Sequence, residues 1–282
     1  MRPSERLTLG ALLALLALTV ALEPPGAGPR IGAFVAMLAA TLWASGRPAS
    51  GAPGFVRDWL PVAEVLTIFL LLQPIIEATV PWRLDAALAA ADQRYLAGLV
   101  AAWQGAFGRA RPFTDASYVA YFSYYGLPLV AAGIARTRGP VEFERVVFAL
   151  LLAFYLTFIG YLLLPASGPR VPATLEATLL GGGVASEAVR SFLHAAEATT
   201  LDAFPSGHTT VAVVSAAMGS RGASRAGAGA LWLWAAGVVF STVYIHVHYA
   251  TDVVAGLALA VLVLWLAPRG GSAKPPVLRP SP

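Results

Sequence analysis

Cysteine is absent from this 282-residue chain, and charged residues make up only 12% of it. Without cysteine, a disulfide framework and a thiolate metal site are both excluded. A soluble globular domain usually carries about 25% charged residues, so the chain has too little polar cover for a soluble enzyme. The hydrophobic content of 57% and the mean hydropathy of +0.69 also exclude a disordered chain. These figures indicate a membrane protein.

The sequence contains several long apolar segments. A transmembrane helix needs about 20 mainly apolar residues. Eight segments approach this description, at 7–22, 31–45, 60–80, 116–135, 146–164, 206–220, 226–245 and 251–267. They predict an all-α, polytopic transmembrane helical bundle. The first segment can also be read as a cleaved signal peptide, but we favour a retained span because a second apolar run follows closely and no convincing small-residue cleavage site is present.

The basic residues predict an orientation. When the amino terminus is taken as cytoplasmic, most of the 19 lysines and arginines fall in cytoplasmic segments, which favours both termini inside. Because these residues are scattered between apolar runs, the net charge of +4 indicates no nucleic-acid partner. The predicted organisation is two amino-terminal spans (1–56), a six-span core (57–268) and a disordered cytoplasmic tail (269–282). A charged, Ala-rich stretch near 83–107 predicts an amphipathic helix at the outer membrane surface.

The first motif with chemical potential is Pro205-Ser206-Gly207-His208, which directly precedes an apolar run. Ser206 is expected to cap a helix whose first turn carries His208. The free amides and the dipole at a helix start favour an anion such as phosphate. The alternative is a capped helix with an interfacial histidine that has no catalytic role.

The second motif is His248-x-x-x-Asp252, whose two side chains share one face if the stretch is helical. A carboxylate bonded to one imidazole nitrogen leaves the other as a nucleophile or base. The alternative is a structural His–Asp bond that joins two spans. Since the predicted topology places His208 and His248 at the same membrane face, the two motifs together predict one interfacial pocket suited to phosphoryl transfer, in which one histidine attacks phosphorus and the other protonates the leaving oxygen.

These motifs resemble the type 2 phosphatidic acid phosphatase superfamily, whose pattern is K-x6-R-P, then P-S-G-H, then S-R-x5-H-x3-D. PSGH is complete here, whereas Thr242 stands where the family has arginine and no K-x6-R-P precedes PSGH. The segments 57–61, 121–125 and 164–170, together with Thr242, resemble the inositol phosphorylceramide synthase (inositolphosphotransferase) branch. The resemblance covers roughly residues 57–265 and implies a six-helix catalytic core.

The resemblance also implies roles for individual residues. His248 would form a phosphohistidine intermediate, Asp252 would orient it, and His208 would act as the general acid and then as the base for an acceptor hydroxyl. Arg170 lies in the loop where the first family motif would fall, so it is predicted to bind phosphate; the alternative is an ordinary interfacial arginine. Ser206 and the Gly207 amide would complete the phosphate contacts.

Neither a cofactor nor a metal is predicted. His246 and His248 are two residues apart, but no carboxylate or thiolate cluster completes a metal-ligand set, and the resembled family needs none. The tyrosines at positions 118, 121, 124 and 125 favour an aromatic belt at the membrane interface over contact with a lipid headgroup.

The predicted function is that of a membrane-embedded lipid phosphotransferase of the inositolphosphotransferase type. Its partners would be a phospholipid donor, a lipid alcohol acceptor and the bilayer. The alternative is a lipid phosphate phosphatase that hydrolyses phosphatidic acid or prenyl pyrophosphate, with water as the acceptor. A proton-coupled transporter also uses intramembrane His and Asp, but transporters place polar groups near the midplane, whereas these cluster at one interface. A soluble haloperoxidase is excluded by hydropathy.

Overall fold

A computed structural model describes residues 1–48, 50–107, 110–169, 180–196 and 199–268, and within these ranges it contains helices and no strands. The all-α prediction is therefore confirmed. The predicted disordered tail, 269–282, lies outside the described residues. The helices, in chain order, are α1 (Pro3–Leu22), α2 (Ala27–Ser45), α3 (Gly51–Thr79), α4 (Asp85–Tyr95), α5 (Ala97–Phe107), α6 (Arg111–Phe122), α7 (Gly126–Thr137), α8 (Pro140–Leu163), α9 (Val184–Ala196), α10 (Gly207–Gly219), α11 (Arg225–Tyr244) and α12 (Ala250–Leu266).

Among the described residues, six helical segments are long and apolar enough to cross a membrane, which makes the chain an integral membrane protein. They are α1, α2, α3, α8, α11 and the pair α6–α7, which a 3₁₀ turn at Ser123–Tyr125 joins into one segment. Seven of the eight predicted segments each coincide with one helix and the segment 116–135 coincides with the pair α6–α7, but α10 has 13 residues and α12 has 17. Since α10 is about 20 Å long, it falls short of a hydrocarbon core of about 30 Å.

The short helix α10 forms the centre of the bundle, where it packs against α7, α8, α11 and α12. Small residues make this close approach possible. A Cβ placed on Gly256 of α12 would lie 2.7 Å from the backbone oxygen of Ser206. The Thr210 hydroxyl donates to the backbone oxygens of Ser206 and Gly256, at 2.9 and 3.1 Å. The starts of α10 and α12 are therefore held side by side.

Buried ion pairs attach the amino-terminal helix α1 to the rest of the bundle. The Arg2 guanidinium donates to Asp58 Oδ1 of α3 at 2.5 Å, and the other oxygen of this fully buried carboxylate pairs with Arg136 of α7. Arg57 of α3 donates to Glu5 of α1 at 2.5 Å. These contacts hold α1, α3 and α7 together at one end of the bundle, which we call the amino-terminal end.

The opposite end, which we call the histidine end, carries three short helices. Two of them, α4 and α5, occupy the stretch where the sequence predicts one surface helix, and they are separated at Leu96. The third, α9, packs against α6. One face of α4 contacts the start of α12, so this helix reaches the region that contains the predicted site. A position of α4 and α5 at the membrane surface remains a prediction.

Candidate active site

Two histidines and one aspartate meet where α10 and α12 begin. His248 Nε2 lies 3.3 Å from His208 Nδ1, and His248 Nδ1 lies 3.4 Å from Asp252 Oδ2. The second distance is long for a hydrogen bond, as catalytic contacts often are before a substrate binds. His248 and Asp252 are buried, at 2% and 0% exposure. The central imidazole therefore has a carboxylate at one nitrogen and a second imidazole at the other.

Backbone contacts hold Asp252 in place. Its Oδ2 accepts the N–H of Tyr249 at 2.9 Å, and its own carbonyl accepts the N–H of Ser206 at 3.1 Å. The first bond closes the turn that leads from His248 into α12. The second ties this turn to the start of α10. These bonds therefore hold the carboxylate of Asp252 in place and also fix the starts of α10 and α12 relative to each other.

A tight turn after α11 delivers His248 to the site. The Thr242 carbonyl accepts the N–H groups of Val247 and His248, both at 3.0 Å, and His246 takes the left-handed conformation with a φ of 58°. The Thr242 hydroxyl donates to the Val239 carbonyl at 2.7 Å. The backbone carbonyl of Thr242 therefore closes the turn, whereas its side chain, at the position where the resembled family has arginine, bonds back to α11. Burial also lowers the pKa of His246, which favours its neutral form.

The start of α10 confirms Ser206 as an N-cap, because its Oγ accepts the N–H of Thr209 at 3.2 Å. Ser206 is fully buried, and its predicted contact with phosphate remains a prediction. Gly207 has no room for a side chain: a Cβ there would clash with the Tyr161 hydroxyl and would lie 3.1 Å from Thr157 Cγ2. The backbone at the start of α10 therefore packs directly against α8.

Two tyrosines pack against the His208 ring. The ring centroids of Tyr121 and Tyr124 lie 4.6 and 4.4 Å from that of His208. Both tyrosines are buried, so they belong to the site and not to a membrane-facing aromatic belt, whereas Tyr125 is 45% exposed. The faces of aromatic rings attract a cation. This packing fixes the orientation of His208 and suits an imidazole that has to carry a proton as an acid.

An apolar cavity of about 190 Å³ begins at His208 and Gly207 and continues between α3, α7 and α8. Along α8 its lining extends from Tyr161 to Val147, a distance of about 21 Å at 1.5 Å per residue. That distance exceeds half of a hydrocarbon core of about 30 Å. Hydroxyl and carboxylate groups line only the histidine end of the cavity, and they belong to Tyr124, Tyr125, Thr157, Tyr161 and Asp202. The cavity therefore joins a polar end to a long apolar channel.

Arg170, the predicted phosphate ligand, lies outside the described residues. The other predicted site residues, His208, His248, Asp252, Ser206 and Gly207, all lie at the two neighbouring helix starts. In the described part of the chain, no group of three or more His, Asp or Glu residues has the arrangement of a metal site, so His246 and His248 belong to no such group there.

Sequence reasoning missed the contribution of α4. Its Asp92 accepts the backbone N–H groups of Ala250 and Thr251, and its Asp85 accepts those of Ser167 and Gly168. Burial, together with the nearby carboxylates of α4 and α12, raises the pKa of Tyr249, so this phenol stays neutral. The available signal is the spacing of Asp85, Leu88 and Asp92, which places them on one helical face.

The bundle and the site define an integral membrane protein that carries the groups needed for phosphoester chemistry. A family model of the PAP2 superfamily matches residues 86–266, which include both helix starts, and the chain belongs to this superfamily. Its members are phosphatases and phosphotransferases, so the chain is an enzyme that acts on phosphoesters. No curated protein and no solved structure matches the chain.

Proposed function

We propose that the chain is a lipid phosphotransferase that acts on phospholipid phosphoesters through a phosphohistidine on His248. The observation that carries this proposal is the apolar cavity that ends beside His208, because it joins a place for a lipid chain to a pair of imidazoles and an acid. A lipid phosphoester has this same division into an apolar chain and an anionic group. The donor chain would enter the cavity sideways from the bilayer.

In the first step, His248 Nε2 attacks phosphorus and forms a P–N bond while the bond to the leaving oxygen breaks. His208 gives its proton to that oxygen. The phosphoryl group enters between the two rings and replaces their direct contact of 3.3 Å. Asp252 stabilises the positive charge that develops on the imidazole through the contact at Nδ1. Chain residues alone supply the nucleophile, the acid and the stabilising charge.

In the second step, His208 is neutral and takes a proton from the acceptor hydroxyl. The acceptor oxygen attacks phosphorus, the P–N bond breaks, and His248 and protonated His208 are restored. A lipid alcohol as acceptor gives transfer, whereas water gives hydrolysis. The two reactions differ only in the group that attacks the phosphohistidine, so the phosphatase activity on phosphatidic acid or prenyl pyrophosphate is the second candidate.

Two observations favour transfer from a phosphodiester. Thr242 replaces the arginine that the family carries at this position, which leaves less positive charge for a phosphomonoester dianion. The acidic side chain of Asp202 also lines the cavity beside His208. A phosphodiester carries less negative charge than a monoester, so it tolerates this environment better. Arg170 is proposed as the phosphate ligand, with the Gly207 amide and Ser206.

The proposed enzyme works at the non-cytoplasmic face, periplasmic or lumenal, with both termini in the cytoplasm. The excess of basic residues in the cytoplasmic segments supports this orientation. The acceptor and the donor then meet at the outer rim of the bilayer. An inositol-bearing phospholipid as donor and a ceramide as acceptor are the substrates that the inositolphosphotransferase resemblance suggests.

The test is an assay of the purified chain with a headgroup-labelled phospholipid, with and without ceramide or diacylglycerol as acceptor. Transfer predicts that label moves to the acceptor and that product formation requires it. Label released only as a water-soluble phosphate compound, at the same rate with and without acceptor, would support the phosphatase candidate instead. A proton-coupled transporter would leave the donor uncleaved under both conditions, which would overturn both enzyme proposals.

A further inference from the structure

A carboxylate from the distant helix α4 caps α12, the helix that carries Asp252. Asp92 Oδ2 accepts the N–H of Ala250 at 2.7 Å, and its Oδ1 accepts the N–H of Thr251 at 2.8 Å. These two amides belong to the first turn of α12, where backbone N–H groups have no partner within their own helix. The N-cap residue of α12 is Tyr249, which is not one of the usual capping residues. Asp92 therefore supplies a cap from α4.

The same face of α4 also holds a second segment next to the site. Asp85 Oδ1 accepts the N–H groups of Ser167 and Gly168 at 2.9 and 3.0 Å. Gly168 has a φ of 80°, and a Cβ there would clash with the carbonyl of Val247, so this loop lies directly against the turn that carries His248. The buried side chain of Leu88 lies between the two carboxylates on this face. The helix α4 thus connects the loop, the turn and the start of α12.

The geometry at His248 makes this connection important. Asp252 lies in the turn that Asp92 caps, only one residue after Thr251, and the contact of its Oδ2 with His248 Nδ1 is already 3.4 Å. A small rotation of the first turn of α12 would carry the carboxylate out of reach of the imidazole. Displacements of about 1 Å at a catalytic group can cost on the order of 10²-fold in rate.

We propose that Asp92 is a positioning residue for phosphoryl transfer, which holds the first turn of α12 so that Asp252 can orient and stabilise His248. This inference rests on the proposed function of His248 and Asp252. Asp92 acts through the backbone of α12 and touches neither substrate nor reacting atom. Its loss should therefore slow the chemical step without weakening binding of the donor.

The chain offers a matched control in Asp115. Its Oδ1 accepts the N–H groups of Gly183 and Ser186 at 2.8 and 2.9 Å, and so it caps the start of α9 in the way that Asp92 caps α12. The experiment compares the wild type with D92A, D92N, D115A and H248A, using the labelled phospholipid and acceptor. It measures kcat, KM and the thermal unfolding temperature of each variant in the same detergent.

We expect D92A to lower kcat by between about 10-fold and about 100-fold while KM changes by less than about twofold. D92N should fall between D92A and the wild type, because an amide oxygen still accepts hydrogen bonds from the helix start. D115A should keep kcat within about twofold of wild type even if its unfolding temperature falls as much as that of D92A.

Wild-type kcat in D92A would overturn the inference, and so would equal losses of kcat in D92A and D115A that follow the unfolding temperature. If D92A fails to fold, D92N decides: wild-type kcat in this folded variant rejects the role. The variant H248A distinguishes failure of the proposed function from failure of the proposed role of Asp92. Turnover in H248A overturns the proposed function, whereas an inactive H248A beside a fully active D92A overturns only the role of Asp92.

Discussion

The two ends of the helical bundle place different basic side chains beside their buried carboxylates, although carboxylates at both ends also accept backbone N–H groups. At the amino-terminal end, Asp58 and Glu5 face the guanidinium groups of arginines. At the histidine end, Asp252 faces an imidazole. Three other carboxylates at this end accept backbone N–H groups: Asp85, Asp92 and Asp115.

This difference separates a structural region from a region that can move protons. Arginine stays protonated throughout the physiological pH range, so its pairs join helices and do no proton chemistry. An imidazole gains and loses a proton near neutral pH. The carboxylates that accept backbone N–H groups shape the segments that present the histidines. The following variants test this division, from the largest expected effect on turnover to the smallest.

Replacing either histidine should remove the chemistry at the histidine end. We expect H248A and H208A each to lower turnover of the labelled phospholipid by at least about 10³-fold, because one loses the nucleophile and the other the acid. Both variants should express and insert normally. The matched control is H246N, since asparagine tolerates the left-handed conformation at this position. Equal losses in H246N and H248A would contradict the assignment.

Removing only the negative charge of Asp252 should lower turnover less than removing either histidine. D252N keeps the shape of the side chain and an oxygen for the Tyr249 N–H, but it no longer stabilises a positive imidazole. We expect kcat to fall on the order of 10²-fold or more. The measurement is the single-turnover rate of donor cleavage, with D115N as a control for loss of a carboxylate elsewhere. A wild-type rate in D252N would show that the contact is structural.

Adding a methyl group at Gly207 should disturb the start of α10. The new Cβ of G207A would clash with the Tyr161 hydroxyl, so the first turn has to shift away. Overpacking of this kind costs about 1–3 kcal/mol, and we expect turnover to fall by about tenfold or more. The double variant G207A/Y161F should recover part of the loss because it removes the clashing oxygen. No recovery would argue against this steric cause.

Filling the apolar cavity tests whether it binds the chain of the lipid donor. Leu150 lines the apolar channel, whereas Val261 of α12 is 66% exposed. We expect L150W to raise KM for a long-chain donor by about fivefold, which corresponds to about 1 kcal/mol of lost apolar contact. A short-chain donor and the control V261F should show no change. An effect of equal size on both donors would remove the cavity from the binding site.

A variant at the amino-terminal end should change stability and leave turnover unchanged. D58N removes the buried carboxylate that Arg2 and Arg136 share, so we expect the free energy of unfolding to fall by about 3–5 kcal/mol. E142Q breaks a partly buried i,i+3 pair with Arg145 and should cost less than about 1 kcal/mol. Thermal unfolding and kcat are measured together. A folded D58N with a large loss of kcat would break the division between the two ends.

The contact between the two histidines could be predicted from the sequence because each histidine belongs to a short local motif. Ser206 and His208 belong to one helix start, and His248 and Asp252 are four residues apart. The topology needed only to bring two helix starts to the same membrane face. Long apolar segments and the distribution of basic residues predicted that arrangement, and the structure places the two imidazoles in contact.

Other features depend on packing between distant segments. Asp92 caps a helix start 158 residues away, and no local pattern shows this partner. Tyr121 and Tyr124 lie at the start of a predicted span. At such a position the local sequence does not distinguish a tyrosine of an interfacial aromatic belt from a buried tyrosine. The burial of Tyr121 and Tyr124 results from packing against His208, which lies 84 or more residues further along the chain.

The most direct test of the account is to trap the covalent intermediate. The chain is mixed with a donor labelled at phosphorus, quenched during the first turnover, digested and analysed by peptide mass spectrometry. We expect label on the imidazole of His248, absent from H248A and discharged when acceptor is added. Product formation with no label on His248, or with label on another residue, would contradict it.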